Sequence, residues 1–303
     1  MKRDYLKKNK ILGVNLFYVL SLLPIIIYSF YKNGIVVYKA GLISLFASLQ
    51  YLVIPFVIIA LSYVFECFYY MYFKKEDEGH NVVNSLVPYI NTLCYLVCSP
   101  IAKLWITIPI IVVLTILMKV LENKVNINQV ALFKCILLLI GVVAGVTSNA
   151  NFYESANELT FNKMQYFIGN GVGEIGTTST LCALIGFGIL LFNRYYKKDV
   201  AIVGSIGYAL VALLLYVTGS LTFSEMLINL FTSGFMFAII FVASISLSSP
   251  IIKGGRFVYS LLIGIISSVL VNVYGIGYAI YIVILVMSLL VPLFNKLRFT
   301  FTR

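Results

Sequence analysis

Apolar runs, each about as long as a bilayer crossing, recur from Ile11 to Phe294 with almost no charge inside them. In hydrocarbon the backbone must satisfy its own N–H and C=O groups, so unbroken runs of this kind can fold only as packed helices. A helix crosses the hydrocarbon in about 20 residues. The runs are Ile11–Tyr31, a stretch from near Ala40 to Phe73 with Pro55 inside it, Val82–Ala102, Leu104–Leu121, Val130–Ser148, Gly171–Phe192, Val200–Gly219, Leu227–Ser249, Phe257–Val273 and Gly275–Phe294. They predict an all-α polytopic membrane protein of about ten transmembrane helices forming one domain over residues 1–303. Only 11% of the residues are charged against 61% hydrophobic, too little polar surface to cover a water-soluble fold of this length. The surplus must face lipid.

The net charge of +11 does not point to nucleic acid. Lys and Arg sit in short clusters between runs, with no stripe long enough to follow a phosphate backbone. They report topology instead. With the N-terminus inside, seventeen basic residues fall on the cytoplasmic side and four (Lys32, Lys39, Lys103, Lys163) on the outer side, as the positive-inside rule demands. Both termini are expected in the cytoplasm. The basic start leads into Ile11–Tyr31 with no small-residue cleavage site behind it, so that run reads as a first span. The five cysteines all lie in apolar runs, which argues against a disulfide framework.

Two segments carry the same punctuation. CSPIAK, Cys98 to Lys103, and SSPIIK, Ser248 to Lys253, each close one apolar run and open another, and their prolines lie 250 − 100 = 150 positions apart. Five runs in each half would insert the second half upside down. Two inverted five-helix repeats are expected, at about 11–148 and 171–295, joined by an outer loop at 149–170. Such repeats place ion and substrate sites near the midplane, where broken helices expose backbone carbonyls. Proline breaks the helical ladder because it lacks an N–H and clashes one turn back.

Charges within spans are expensive and need a partner or a wet cavity. Glu66 is a candidate cation or proton carrier; alternatively it lies at the interface, about two turns from Lys74. Lys134 is expected to snorkel to the inner face. Gly169, Gly171, Gly173 and Gly176 precede Thr177, Thr178, Ser179 and Thr180 at the start of the sixth run. Free N–H groups and hydroxyls there could hold a phosphate or other anion; close helix packing through small residues is the alternative. Cys94 and Cys98 share a helical face but lack further ligands, so no metal site is expected. His80 lies among charged residues and reads as a solvated loop residue. No catalytic triad or nucleotide fingerprint is present.

The segments GNGVGEIGTTSTLCALIGFGILL, from Gly169, and FVASISLSSPIIKGGRFVYSLL, from Phe241, resemble a known family. Its members are RnfD, of the Rnf ion-translocating electron-transport complex, and NqrB, of the sodium-pumping NADH:quinone reductase. The family's G-x-I-G-E-T-S is similar to Gly173–Ser179, its T-D-P-V-x-S-P…G-R to Ser244–Arg256, and its closing V-P-L-I-D to Val291–Asn295. The resemblance implies two inverted five-helix repeats related to urea channels. It also implies other membrane subunits as partners, and flavin-mediated electron transfer coupled to Na⁺ or H⁺ movement in a bacterial plasma membrane.

Departures from the family pattern are specific. The family attaches FMN to a Thr in the outer loop before the sixth run; in FYESANELTFNKM that position is Asn157, which has no hydroxyl to take a phosphate. This disfavours covalent FMN; Thr160, three residues on, substitutes only if the loop register differs. The Glu of G-E-T-S is Thr177 here, with Glu174 nearby; the Asp of T-D-P is Ile245; the acid in the last run is Tyr278. The candidate contacts for FMN or riboflavin are Thr160, Gly173, Gly176, Thr177, Thr178 and Ser179. The candidates for an ion or ligand path are Glu66, Glu174, Ser249 and Pro250. A urea-channel-like transporter or channel without redox chemistry is the alternative, and an assembly component without cofactor is a third.

Overall fold

The computed structural model describes residues 17–69, 71–72, 85–100, 102–121, 126–143, 163–171 and 173–296. The N-terminal basic cluster, Lys74, His80, Asn157 and Thr160 lie outside the described residues.

All regular structure among the described residues is helical. The first helix, α1 (Phe17–Lys39), runs 23 residues and widens into a π-helical stretch over Phe30–Val36, which turns Lys32 and Asn33 into the protein. Helix α2 (Leu45–Tyr69) contains Pro55. It buries only a narrow line of residues, Ser48, Pro55, Ile58, Ser62 and Glu66, and turns Phe46, Val53 and Phe68 outward. A water-soluble protein would not leave so much apolar surface uncovered.

Helix α3 (Val87–Leu96) differs in kind: all ten of its residues are buried. Pro88 starts it, where a missing N–H costs nothing, and Pro100 prevents its continuation. The expected crossing at 82–102 is therefore a half-length helix within the described residues. Helix α4 (Leu104–Val120) and helix α5 (Gln129–Val143) complete the first half.

The second half opens with a short helix, α6 (Lys163–Ile168), then an irregular segment to Ser179 and helix α7 (Thr180–Leu191). The Ser179 hydroxyl caps α7 by accepting the Cys182 N–H at 3.2 Å. Because 173–179 is irregular, the helix begins at Thr180, nine residues later than the sixth run. Helix α8 (Lys198–Val217) follows. Helix α9 (Phe223–Thr232) starts with a capping box between Thr222 and Glu225. It bends by 52° into α10 (Phe235–Val242). Gly234, at φ 66°, makes that bend, in the left-handed region that L side chains avoid. Every residue of α10 is buried apart from Met236, which is partly so. After irregular turns to Pro250 come α11 (Lys253–Asn272), α12 (Ala279–Leu289) and the short α13 (Val291–Phe294).

Among the described residues, four helices, α1, α2, α8 and α11, are long and apolar enough to cross a membrane, and the bent pair α9–α10 makes a fifth candidate. Helices α4, α5, α7 and α12 are apolar but shorter. The closest packing joins α8 to α11. A Cβ on Gly264 would collide with the Gly204 carbonyl oxygen, and one on Gly207 would lie 2.9 Å from the Leu261 carbonyl oxygen. Small residues let the two backbones approach, the usual device where lipid supplies no hydrophobic drive. The half-length helices α3 and α10 meet in the centre, where the Tyr89 hydroxyl donates to the Phe241 carbonyl at 3.1 Å.

Candidate functional site

A half-helix ending inside the protein leaves carbonyls with no partner of their own and a partial negative charge. At the end of α3 these are the carbonyls of Leu96, Val97 and Cys98. The irregular segment before α7 answers two of them: the Gly176 N–H donates to Leu96 O at 2.8 Å and the Ile175 N–H to Cys98 O at 2.9 Å. Lys134 of α5 answers the third, its Nζ donating to Val97 O at 3.1 Å.

The same ammonium pairs with Glu174 at 2.5 Å, both side chains being largely buried. The second carboxylate oxygen accepts from the Tyr281 hydroxyl of α12 at 3.3 Å. Two groups from α1 hold the segment from its other side: Lys32 Nζ donates to the Gly171 carbonyl, and Asn33 Nδ2 to the Ile175 carbonyl at 3.5 Å. A buried charge is tolerable only when paired and hydrogen-bonded. Here a lysine, a carboxylate and a tyrosine from three separate parts of the chain meet that condition at a helix end. Such a cluster can move or hold a proton, or exchange one cation for another, because its charge balance is set by a single carboxylate.

The expected candidates fall into distinct places. Gly173, Gly176, Thr177, Thr178 and Ser179 all lie in this segment, with Glu174 among them. Gly176 is a packing residue, since a Cβ there would meet Leu96 and Ile25. The N–H groups of residues 175 and 176 are engaged with α3, and the Ser179 hydroxyl with the α7 cap. Thr177 and Thr178 are buried. Lys134 does not snorkel: it turns inward, because the carbonyl of Val97 and the carboxylate of Glu174 hold it there.

Glu66 is wholly buried at a different place, with Oε1 2.9 Å from Lys119 Nζ of α4. One turn earlier on α2, Ser62 accepts from Asn91 Nδ2 at 2.9 Å, and Asn91 Oδ1 accepts from Thr115 at 2.9 Å and from Gln129 at 3.3 Å. Glu66 thus ends a buried polar column through α2, α3, α4 and α5. Ser249 and Pro250 lie in the turns after α10, around the ammonium of Lys197. Cys98 donates its thiol to the Cys94 carbonyl at 3.3 Å, and no trio of metal-ligating side chains is present among the described residues.

Sequence reasoning passed over Lys32, Lys197 and Tyr281. Lys32 had a usable signal, a charge near the end of an apolar helix. Lys197 and Tyr281 had none, because their partners are remote in sequence.

Among the described residues, a cleft of about 60 Å³ lies beside the end of α3, lined by Tyr51, Tyr95, Cys98, Ser99, Thr107 and Ile175. That is room for a few waters.

Comparison with known proteins bears on the whole arrangement. A stretch of 140 residues is 34% identical to the B-subunit of the Na⁺-translocating NADH-quinone reductase of Klebsiella pneumoniae (strain 342), covering 44% of this chain and 34% of that protein. Its counterpart in Chromohalobacter salexigens is 29% identical over 147 residues, covering 46% and 36%. The matched part of the chain therefore spans about a third of the length of these curated relatives. The model of the NQR2, RnfD, RnfE family matches residues 5–300. That match runs through both halves of the bundle and both half-helices, and on it the chain belongs to the NQR2, RnfD, RnfE family.

Proposed function

We propose that this chain is the transmembrane subunit of an Rnf/Nqr-type ion-translocating electron-transport complex, and that its Lys134–Glu174–Tyr281 cluster is the centre that couples to Na⁺ or H⁺ movement. The observation that carries the reading is the buried ion pair at the open end of half-helix α3. Charged groups within a span mark ion pathways by default, and half-helix ends near the midplane are where secondary transporters hold their cations. Glu66, with Lys119 and the column behind it, supplies a second station on the same path. Family membership and the relatives' names support a place beside other membrane subunits in a bacterial plasma membrane.

The reading includes two inverted repeats. Its support is that α3 and α10 are both short, both buried, and both followed by Ser-Pro 150 positions apart. Any flavin contact belongs to the outer loop before residue 163, where Thr160, three residues after Asn157, is the threonine that could take a phosphate if the loop register differs.

In the assembled complex reconstituted into liposomes, Glu174→Gln is expected to abolish or cut ion uptake at least tenfold while leaving electron transfer measurable. Unchanged ion uptake in that variant sinks the assignment of the cluster. Asn157 in place of the family's FMN threonine, with Ile245 and Tyr278 in place of acids, favours a second reading, a urea-channel-like channel without redox chemistry. A flavin absorption spectrum, with mass spectrometry of the 149–170 peptide, separates the two: bound flavin excludes the second reading, and a flavin-free protein that passes a small solute excludes the first.

A further inference from the structure

The turns that follow α10 hold an ammonium in an unusual setting. Lys197 Nζ lies 2.9 Å from Ser249 O, 2.8 Å from Ser249 Oγ, 3.1 Å from Pro250 O and 3.2 Å from Ser246 O. An ammonium has three protons, so four oxygens at these distances describe coordination of a sphere of charge more than a set of separate hydrogen bonds. The Ser249 hydroxyl donates its own proton to Ile245 O at 2.8 Å, which leaves its lone pairs for Nζ. Three of the four ligands are backbone carbonyls of an irregular segment, the ligand type that replaces a cation's hydration shell in selectivity filters.

The position of the lysine on its own helix adds a second argument. Lys197 is the N-cap of α8 and makes no capping hydrogen bond there. A cation at a helix N-terminus works against the dipole, so its placement is explained by what it reaches and not by α8. Burial, with the Arg256 guanidinium adding to it, draws the Lys197 ammonium down to about 8, and it is still charged at neutral pH. Arg256 itself pairs with Asp199 at 3.3 Å.

We infer that the turns over residues 243–250 form a monovalent-cation site of ammonium or potassium size, filled by the protein's own Lys197 side chain. Ser249 and Pro250, candidates for an ion path, then hold a fixed cation and not a travelling one. The inference does not depend on flavin binding or on the Lys134–Glu174–Tyr281 assignment.

Removing the tethered cation exposes the site. The full-length protein in detergent is compared with Lys197→Ala and Lys197→Arg for equilibrium binding of radioactive rubidium ion, a potassium congener, and for melting temperature in KCl against choline chloride at equal ionic strength. Wild type and Lys197→Arg are expected to bind no rubidium and to melt alike in both salts. Lys197→Ala is expected to bind about one rubidium per chain and to melt about 2–4 °C higher in saturating KCl. A Lys197→Ala protein that folds but neither binds rubidium nor distinguishes the salts overturns the site. So does one that fails to accumulate in a potassium-rich cytoplasm, where the vacated site would be filled.

Discussion

Glu66 and Lys119 test the energetics of a buried pair most directly. Glu66 is fully buried, its Oε2 has no hydrogen-bond partner among the described residues, and Lys119 is only 10% exposed at its side chain. Removing one partner of such a pair leaves an uncompensated charge and costs about 3–5 kcal/mol, whereas replacing both is often close to neutral. Lys119→Met is therefore expected to lower the melting temperature markedly, and Glu66→Gln added to it to recover most of the loss. If the double variant is no better than Lys119→Met alone, the two side chains do not act as a pair. Half of this was legible: an acid within an apolar run announces itself, so Glu66 stood out. Its partner did not, because Lys119 sits at the end of its run, 53 positions away, and the contact exists only once α2 and α4 pack. The same holds for Glu174, which the motif resemblance flagged, and for Lys134, whose interior partners no local pattern could reveal.

At the level of elements, hydropathy marks apolar helices well and their lengths poorly. The run at 82–102 is as apolar as its neighbours, yet only Val87–Leu96 is helical. Lipid-facing and protein-facing apolar residues look alike in a sequence, so a buried half-helix cannot be told from a full span by composition. The prolines at 88 and 100 carried the information about where α3 starts and stops. In α10 the bend at Gly234 carried it, together with Pro250. The α8–α11 contact was invisible as a contact, although its small residues are plain in both runs. Gly264→Val places two methyl groups where the Gly204 backbone already sits. Backbone cannot yield as a side-chain tip can, and overpacking of this kind costs about 1–3 kcal/mol or more. Gly264→Val is expected to destabilise the protein by at least that much in detergent unfolding. Gly188→Val, on a face with nothing within 4 Å of an added Cβ, is expected to leave stability within about 0.5 kcal/mol. Equal effects from the two would show that α8 and α11 do not approach so closely.

The described helices turn apolar surface outward and bury several charged groups, and the basic loops between them predict how the bundle is oriented. Exposed Phe46, Val217, Ile251 and Trp105 mark surface that water would not tolerate in such quantity. Arg194 and Lys197 lie between α7 and α8 and Lys198 opens α8, whereas between α8 and α9 no basic residue occurs. Basic loops stay in the cytoplasm because moving them across the membrane is disfavoured, so the two ends of α8 should lie on opposite sides with the basic end inside. Tyr195, in the first turn, is 59% exposed and suits cysteine replacement. Ser220, in the second, is also exposed. A membrane-impermeant thiol reagent applied to intact cells is expected to label Ser220→Cys and to spare Tyr195→Cys until the membrane is opened. The native cysteines are buried or half-buried, so they give little background. Labelling of Tyr195→Cys from outside would reverse α8 and set its basic end against the charge rule.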